Sequence, residues 1–279
     1  MLTERRKYLE KIKQSLANMP ITVLIGARQV GKTTLLESVN TDLPILKLDG
    51  QLPDTNNLFA NINDVISLLK IKINEQVKGL LIIDEFQMIN KISSSLKILA
   101  DSHKELKILC SGSSSLDIIQ NVEESLAGRV RWIYVNSLSF SENILFYNSG
   151  LFKEYLKYKK TTNTTVISAK TKQLLNDQLI YGGMPRVCLT KPPEEKIQIL
   201  DDIHKTYLLR DVRSYVRNAD SVGFNKLLKL LALQTANLLN VNELSRSSGL
   251  SYNKCEDYIY LLEQMFIIKT IEPFETNKR

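Results

Sequence analysis

From Ile21 to Thr34 the chain reads ITVLIGARQVGKTT, two glycines and a lysine directly behind an apolar run. Gly26-Ala27-Arg28-Gln29-Val30-Gly31-Lys32-Thr33 satisfies every fixed position of G-x-x-x-x-G-K-[ST], and Thr34 extends it. Glycines at those two places let the backbone curl, so that successive N–H groups turn inward and make a cradle for phosphate anions. The helix expected to follow adds its positive N-terminal end. Lys32 then reaches the β- and γ-phosphates, and the Thr33 hydroxyl is a ligand for Mg2+. An ordinary glycine-containing turn with a surface lysine is the bland alternative.

A second constellation narrows the chemistry. Leu80-Leu81-Ile82-Ile83-Asp84-Glu85 is an apolar strand pattern ending in two carboxylates. Behind a phosphate loop this is the Walker B arrangement, with Asp84 supporting the magnesium. A carboxylate one position further on polarises an attacking water, so Glu85 favours hydrolysis over phosphoryl transfer to a second substrate. A strand that merely ends in acidic surface residues explains the same letters. An Asn-Lys-x-Asp guanine-reading motif is not found: Asn90-Lys91-Ile92-Ser93 lacks the aspartate. Cys110-Ser111-Gly112-Ser113-Ser114-Ser115 ends a further strand pattern, where Ser113 or Ser114 is either a polar sensor of the γ-phosphate or part of a plain serine-rich turn.

These residues need a scaffold. Short β-like runs at Ile21 to Ile25, Ile45 to Leu48, Leu80 to Ile83, Leu106 to Cys110 and Val130 to Val135 alternate with helical stretches. That alternation predicts an α/β fold, a three-layer core with a parallel sheet covered on both faces. An amphipathic helix is expected over residues 5 to 18, with Tyr8, Leu9, Ile12 and Leu16 on one side. Arg5, Arg6, Lys7, Lys11 and Lys13 around it are either a solvated face or a phosphate contact. Residues 1–150 are thus expected as the core, 151–221 as a helical lid and 222–279 as a winged-helix domain. Within the lid, Lys157 to Thr165 reads as an exposed loop, and Arg210, Arg213 and Arg217 share helical spacing.

In the last segment, helices are expected over Phe224 to Asn237, Val241 to Ser247 and Ser251 to Phe266, with Gly249 at the turn and Ile267 to Ile271 as a terminal strand. A helix-turn-helix with a wing is a duplex DNA reader or a protein-interaction module. The third helix opens with Ser251, Tyr252, Asn253 and Lys254, followed by Glu256 and Asp257, which is poor equipment for gripping phosphate.

Composition sets outer limits. The 279 residues, 43% hydrophobic and 24% charged, are those of an ordinary globular protein, and no apolar run is long enough for a membrane span. A formal charge of +7 permits contact with nucleic acid without demanding it. Cys110, Cys188 and Cys255 lie far apart without metal-ligand spacing, so buried free thiols are expected. No hydrophobic signal core opens the chain, and a cytoplasmic location is expected.

The blocks GARQVGKTT, LLIIDEFQ, SGSSS, LAGRVRWIYVNSLSFSE, YGGMP and YLLRDV, in this order, resemble the archaeal and bacterial AAA+-type P-loop ATPases of the AAA_14 family. The first two blocks are generic, whereas LAGR-to-LSFSE and GGMP are more specific. The resemblance covers essentially the whole chain and implies an ATPase core, a lid, a winged helix, and ATP, ADP and Mg2+ as ligands. It further implies that Arg129 acts on nucleotide phosphate in its own subunit or across an interface, so a homo-oligomer or protein partner is open. Pro185 is similar to a Gly-x-Pro turn that packs on adenine in related ATPases, although a rigid turn accounts for it too, and Arg210 matches the family's Arg-Asp pair. Relatives commonly continue into a DUF4143 region, whereas here the sequence ends at Glu275-Thr276-Asn277-Lys278-Arg279, as a truncated or a natural short form. The reading is therefore an ATP-binding, ATP-hydrolysing protein that couples nucleotide state to movement of the winged helix. A slow nucleotide-dependent switch or DNA-binding regulator is the main rival, and a small-molecule kinase the lesser one.

Overall fold

The computed structural model describes residues 5–113, 126–160, 167–208 and 220–272, without the side chains of 6 and 206–208. The chain divides into two compact units, residues 1–197 and 198–279.

The first unit is built on a five-stranded sheet of β1 (Ile21–Gly26), β2 (Ile45–Asp49), β3 (Gly79–Asp84), β4 (Leu106–Ser113) and β5 (Val130–Tyr134). Each of the five expected runs is a strand. Their order is β2-β3-β4-β1-β5 and every neighbouring pair is parallel. β1 and β3 are buried along almost their whole length, as an all-parallel sheet requires.

Successive side chains of β1 serve opposite faces. Ile21 and Val23 join Leu81, Ile83, Ile108 and Cys110 in a core completed by Val65, Leu69, Leu96 and Leu99. These last four belong to α4 (Ile62–Lys72) and α5 (Ile92–Ser102), which follow α1 (Arg6–Asn18), α2 (Lys32–Glu37) and α3 (Pro53–Phe59). On the other face Thr22 meets Ser15 of α1, hydroxyl to hydroxyl at 2.7 Å. Burial of one such Leu or Ile contributes about 1.5–3 kcal/mol, so the sheet is the stable frame on which the loops at its edge are held.

Beyond the sheet come α6 (Phe140–Tyr147), α7 (Ser149–Lys160), α8 (Ala169–Tyr181), α9 (Pro185–Leu189) and α10 (Pro193–Asp202). α6 opens with a capping box in which Ser139 and Glu142 satisfy each other's backbone N–H groups. Lys157 to Lys160, expected in a loop, complete α7, and the rest of that loop lies outside the described residues.

The second unit packs α11 (Ser221–Leu233), α12 (Val241–Ser248) and α13 (Tyr252–Gln264) around Phe224, Leu227, Leu244, Cys255, Tyr258 and Leu262. Ser251 caps α13 through the N–H of Lys254. The turn and third helix follow the expected pattern, whereas Ile267 to Ile271 form no strand. Those residues have no partner strand among the described residues of this unit, and Glu263 draws Thr270 N–H to its carboxylate at 2.9 Å. The wing is therefore not formed among the described residues.

Cys110 and Cys255 are buried and Cys188 is half-buried, all three as free thiols. Among the described residues no helix is long and apolar enough to cross a membrane.

Candidate functional site

Parallel strands bring their C-terminal ends to one edge, and the expected phosphate-loop and acidic strand-end residues gather there. Gly26, the last residue of β1, pairs with Ser113 of β4, while Asp84 ends the neighbouring β3. The loop from Ala27 to Gly31 then turns back into α2. Gly31 caps that helix at φ 91°, a left-handed conformation that glycine adopts without steric cost, and Gln29 is also left-handed at φ 62°.

Lys32 is only 5% exposed. Its Nζ donates to the carbonyls of Gly26 and Ala27, both at 2.9 Å, so the ammonium is held on the loop itself. Burial pushes its pKa down to about 8, partly offset by the nearby charges of Glu85 and Asp84. Val30 and Ala27 are buried, whereas Arg28, Thr33 and Thr34 are exposed. The Gln29 and Gln87 side-chain carbonyls are buried without a hydrogen-bond partner among the described residues.

Asp84 binds the loop to the sheet. Its Oδ2 accepts from the Thr33 hydroxyl at 2.7 Å, and its Oδ1 accepts from Ser111 Oγ and, at 3.0 Å, from the Glu85 N–H. A hydroxyl beside a carboxylate is a hard-oxygen donor set, which suits Mg2+ with most of its water retained. Glu85 stands at φ 45°, strained backbone for a non-glycine residue and of the kind that gathers at functional sites. Its Oε2 accepts from Ser113 Oγ at 3.0 Å, Ser113 N–H at 3.4 Å and Gln87 Nε2. Gln87 Nε2 also donates to Ser113 Oγ at 3.2 Å. Ser113 thus touches the expected water-activating carboxylate directly, while Ser114 lies outside the described residues.

Beside the loop opens a cavity of about 570 Å³, lined by Lys32, Thr33 and Glu85 on one side and by Leu138, Phe146, Pro185 and Leu189 on the other. Pro185 owes its place to the glycines before it. Gly183 donates no side chain because Leu138 O would lie 2.5 Å from its Cβ, and its carbonyl accepts from Leu138 N–H at 2.7 Å. Gln178 Nε2 holds the same Leu138 carbonyl at 2.8 Å. The LSFSE and GGMP blocks are therefore two halves of one joint that sets the apolar wall.

Arg129 is not brought to this edge. Its backbone carbonyl bonds Ile21 N–H at the start of β1, and β1 must run its full length, about 17 Å, before the phosphate loop begins. There the guanidinium makes a two-pronged contact with Asp101, at 2.7 and 3.1 Å. Arg210, Arg213 and Arg217 lie outside the described residues.

Arg5 is a residue that reading by motif overlooks. Lys7, Lys11 and Lys13 are exposed as a solvated face, but Arg5 is buried against Val30, Asn136 and Glu142. The signal was spacing: Arg5 is the N-cap residue of α1, three residues before Tyr8 and seven before Ile12, in line with the stripe that the helix turns inward.

Comparison with known proteins accords with this geometry. Residues 18–144 match the AAA_14 family, described as an AAA domain, and residues 172–279 match a domain of unknown function, DUF8612, rather than DUF4143. An uncharacterized protein of Mycobacterium tuberculosis is 25% identical over 278 residues, which is 99% of this chain and 55% of that protein. One from Methanocaldococcus jannaschii is 27% identical over 264 residues, 90% of this chain and 58% of that protein. The chain thus spans little more than half the length of these relatives. A Walker-type ATPase of Pyrococcus abyssi shares the fold, with a TM-score of 0.57 at 14% identity over 94% of this chain and 89% of that one. Motif and sheet order agree with the family match: residues 18–144 are similar to the AAA_14 family, described as an AAA domain.

Proposed function

We propose that the protein binds Mg·ATP at the edge of the sheet and hydrolyses it to ADP and phosphate. The observation that carries this reading is the hydrogen bond from Thr33 to Asp84, which joins the phosphate loop to the acidic strand end in one donor set. In this reading the N–H groups from Ala27 to Gly31 receive the phosphates and Lys32 moves from the loop carbonyls to the β- and γ-oxygens. Thr33 and Asp84 hold Mg2+, which neutralises phosphate charge. The apolar wall with Pro185 takes the base. Glu85 accepts a proton from the water that attacks the γ-phosphorus, as the bond from that phosphorus to the bridging oxygen breaks.

A second reading is favoured by the grip of Ser113 and Gln87 on Glu85 Oε2. A carboxylate so engaged makes turnover slow, and nucleotide binding then serves as a switch for the C-terminal helices. As a winged-helix module these would meet duplex DNA or a protein partner. Glu256 and Asp257, exposed in the first turns of α13, favour the protein partner. Arg129 serves a nucleotide only across an interface between subunits in either reading.

Calorimetric titration of Mg·ATP into the wild type and Lys32→Ala tests the common part. Binding that the variant loses supports it, and equal binding by the two, or none by the wild type, overturns it.

A further inference from the structure

Arg5 is 6% exposed at its side chain, yet it carries a full charge beside the proposed nucleotide cavity. Nη1 donates to the Val30 carbonyl at 2.7 Å, Nη2 to the Asn136 carbonyl at 2.6 Å and Nε to Glu142 Oε1 at 3.1 Å. The guanidinium also lies 4.7 Å from the centre of the Tyr8 ring, and Tyr8 Oη accepts from Asn136 N–H at 3.1 Å. One side chain therefore ties together the phosphate loop, the segment leaving β5 and the first turn of α6.

The contact with Val30 has a directional consequence. A peptide bond is planar and trans, so its C=O and N–H point to opposite sides. With the Val30 carbonyl drawn toward Arg5, the Gly31 N–H of the same peptide is aimed away from Arg5. Gly31 is the cap residue from which α2 begins, so this N–H is one of those a phosphate cradle needs. The other two contacts fix residues 136 and 142, which flank Leu138 on the apolar wall.

We propose that Arg5 is a positioning residue for phosphate binding: it holds the Val30–Gly31 peptide in the orientation that receives the anion and braces that loop against the base-side wall. This rests on the nucleotide-binding reading above. Arg5 itself lines the cavity, but its N–H groups are engaged by Val30, Asn136 and Glu142, so in this proposal it acts through Val30 and its loss weakens every ligand that uses the loop, whether or not a base is attached.

The test titrates Mg·ATP and inorganic triphosphate with Mg2+ into the wild type, Arg5→Ala, Arg5→Lys and Lys32→Ala, below the melting temperature of each. Loss of a buried charge-assisted hydrogen bond predicts about 10- to 100-fold weaker binding of both ligands by Arg5→Ala. Arg5→Lys recovers part of the loss, because one ammonium satisfies Val30 but not all three acceptors. Amide exchange across residues 28–32 speeds up in Arg5→Ala. A merely structural arginine lowers the melting temperature and leaves both affinities of the folded protein unchanged, which overturns the proposal, as does a loss confined to ATP. If Arg5→Ala does not fold, Arg5→Lys decides, and wild-type affinity there overturns the proposal. Indifference of ATP binding to Lys32→Ala is a different failure, that of the nucleotide reading itself.

Discussion

The joint between Gly183 and Leu138 offers a quantitative test. In Gly183→Ala the new methyl lies 2.5 Å from the Leu138 carbonyl oxygen and 3.2 Å from Gln178 Nε2. Roughly an ångström of separation is needed to restore ordinary contact. That separation breaks the 2.7 Å bond from Leu138 N–H to Gly183 O. Overpacking costs about 1–3 kcal/mol and the lost bond about 1 kcal/mol more, a total of about 2–4 kcal/mol. Trp132, the one tryptophan, sits on β5 of the same unit, so its fluorescence during guanidinium unfolding reads that unit. The midpoint should fall with unchanged slope, and ATP affinity should fall more than triphosphate affinity because Pro185 moves with the turn. A stability change within about 0.5 kcal/mol, the usual range of an innocuous surface change, refutes the joint as described.

Other outcomes follow from the same geometry. Asp84→Asn and Thr33→Ala should each abolish the gain in ATP affinity that Mg2+ provides, read by titration with and without the metal. Because burial lowers Lys32 from 10.5 to about 8, the unliganded loop loses its cation as pH rises through about 8, so ATP binding should take up protons at pH 8–9, measured in buffers of different ionisation enthalpy. The same depression means that the unfolded chain binds the extra proton, so this group's contribution to stability rises from about pH 8 to 10.5, by up to about 3 kcal/mol. Burial raises the Cys188 thiol to about 11 and Cys110 further, so a thiol reagent at pH 8 should modify Cys188 slowly and Cys110 only on unfolding. Tyr258→Phe leaves the Asp220 N–H without its 2.9 Å partner and should destabilise the second unit by about 1–3 kcal/mol.

The strands and the phosphate loop were legible because each is local: continuous apolar runs mark buried parallel strands, and Gly31 and Lys32 owe their roles to immediate neighbours. Asp84 beside Thr33 was equally legible, since two strand ends in one parallel sheet must meet at one edge. Long-range geometry was not. Arg129 precedes a strand, so the same parallel-sheet rule puts its backbone at the opposite edge, but its partner Asp101, remote in the chain, was not legible. Arg5 needs its partners Val30, Asn136 and Glu142, remote in sequence, before its role appears. Ile267 to Ile271 has the composition of a strand, but pairing depends on a neighbour that this unit lacks among its described residues.

The most direct measurement is steady-state phosphate release from Mg·ATP by the wild type and Glu85→Gln, with ATP affinity determined for both. Turnover that collapses in the variant while binding survives is the predicted result. Release by the wild type no greater than by a variant that binds ATP equally well would contradict hydrolysis at this site.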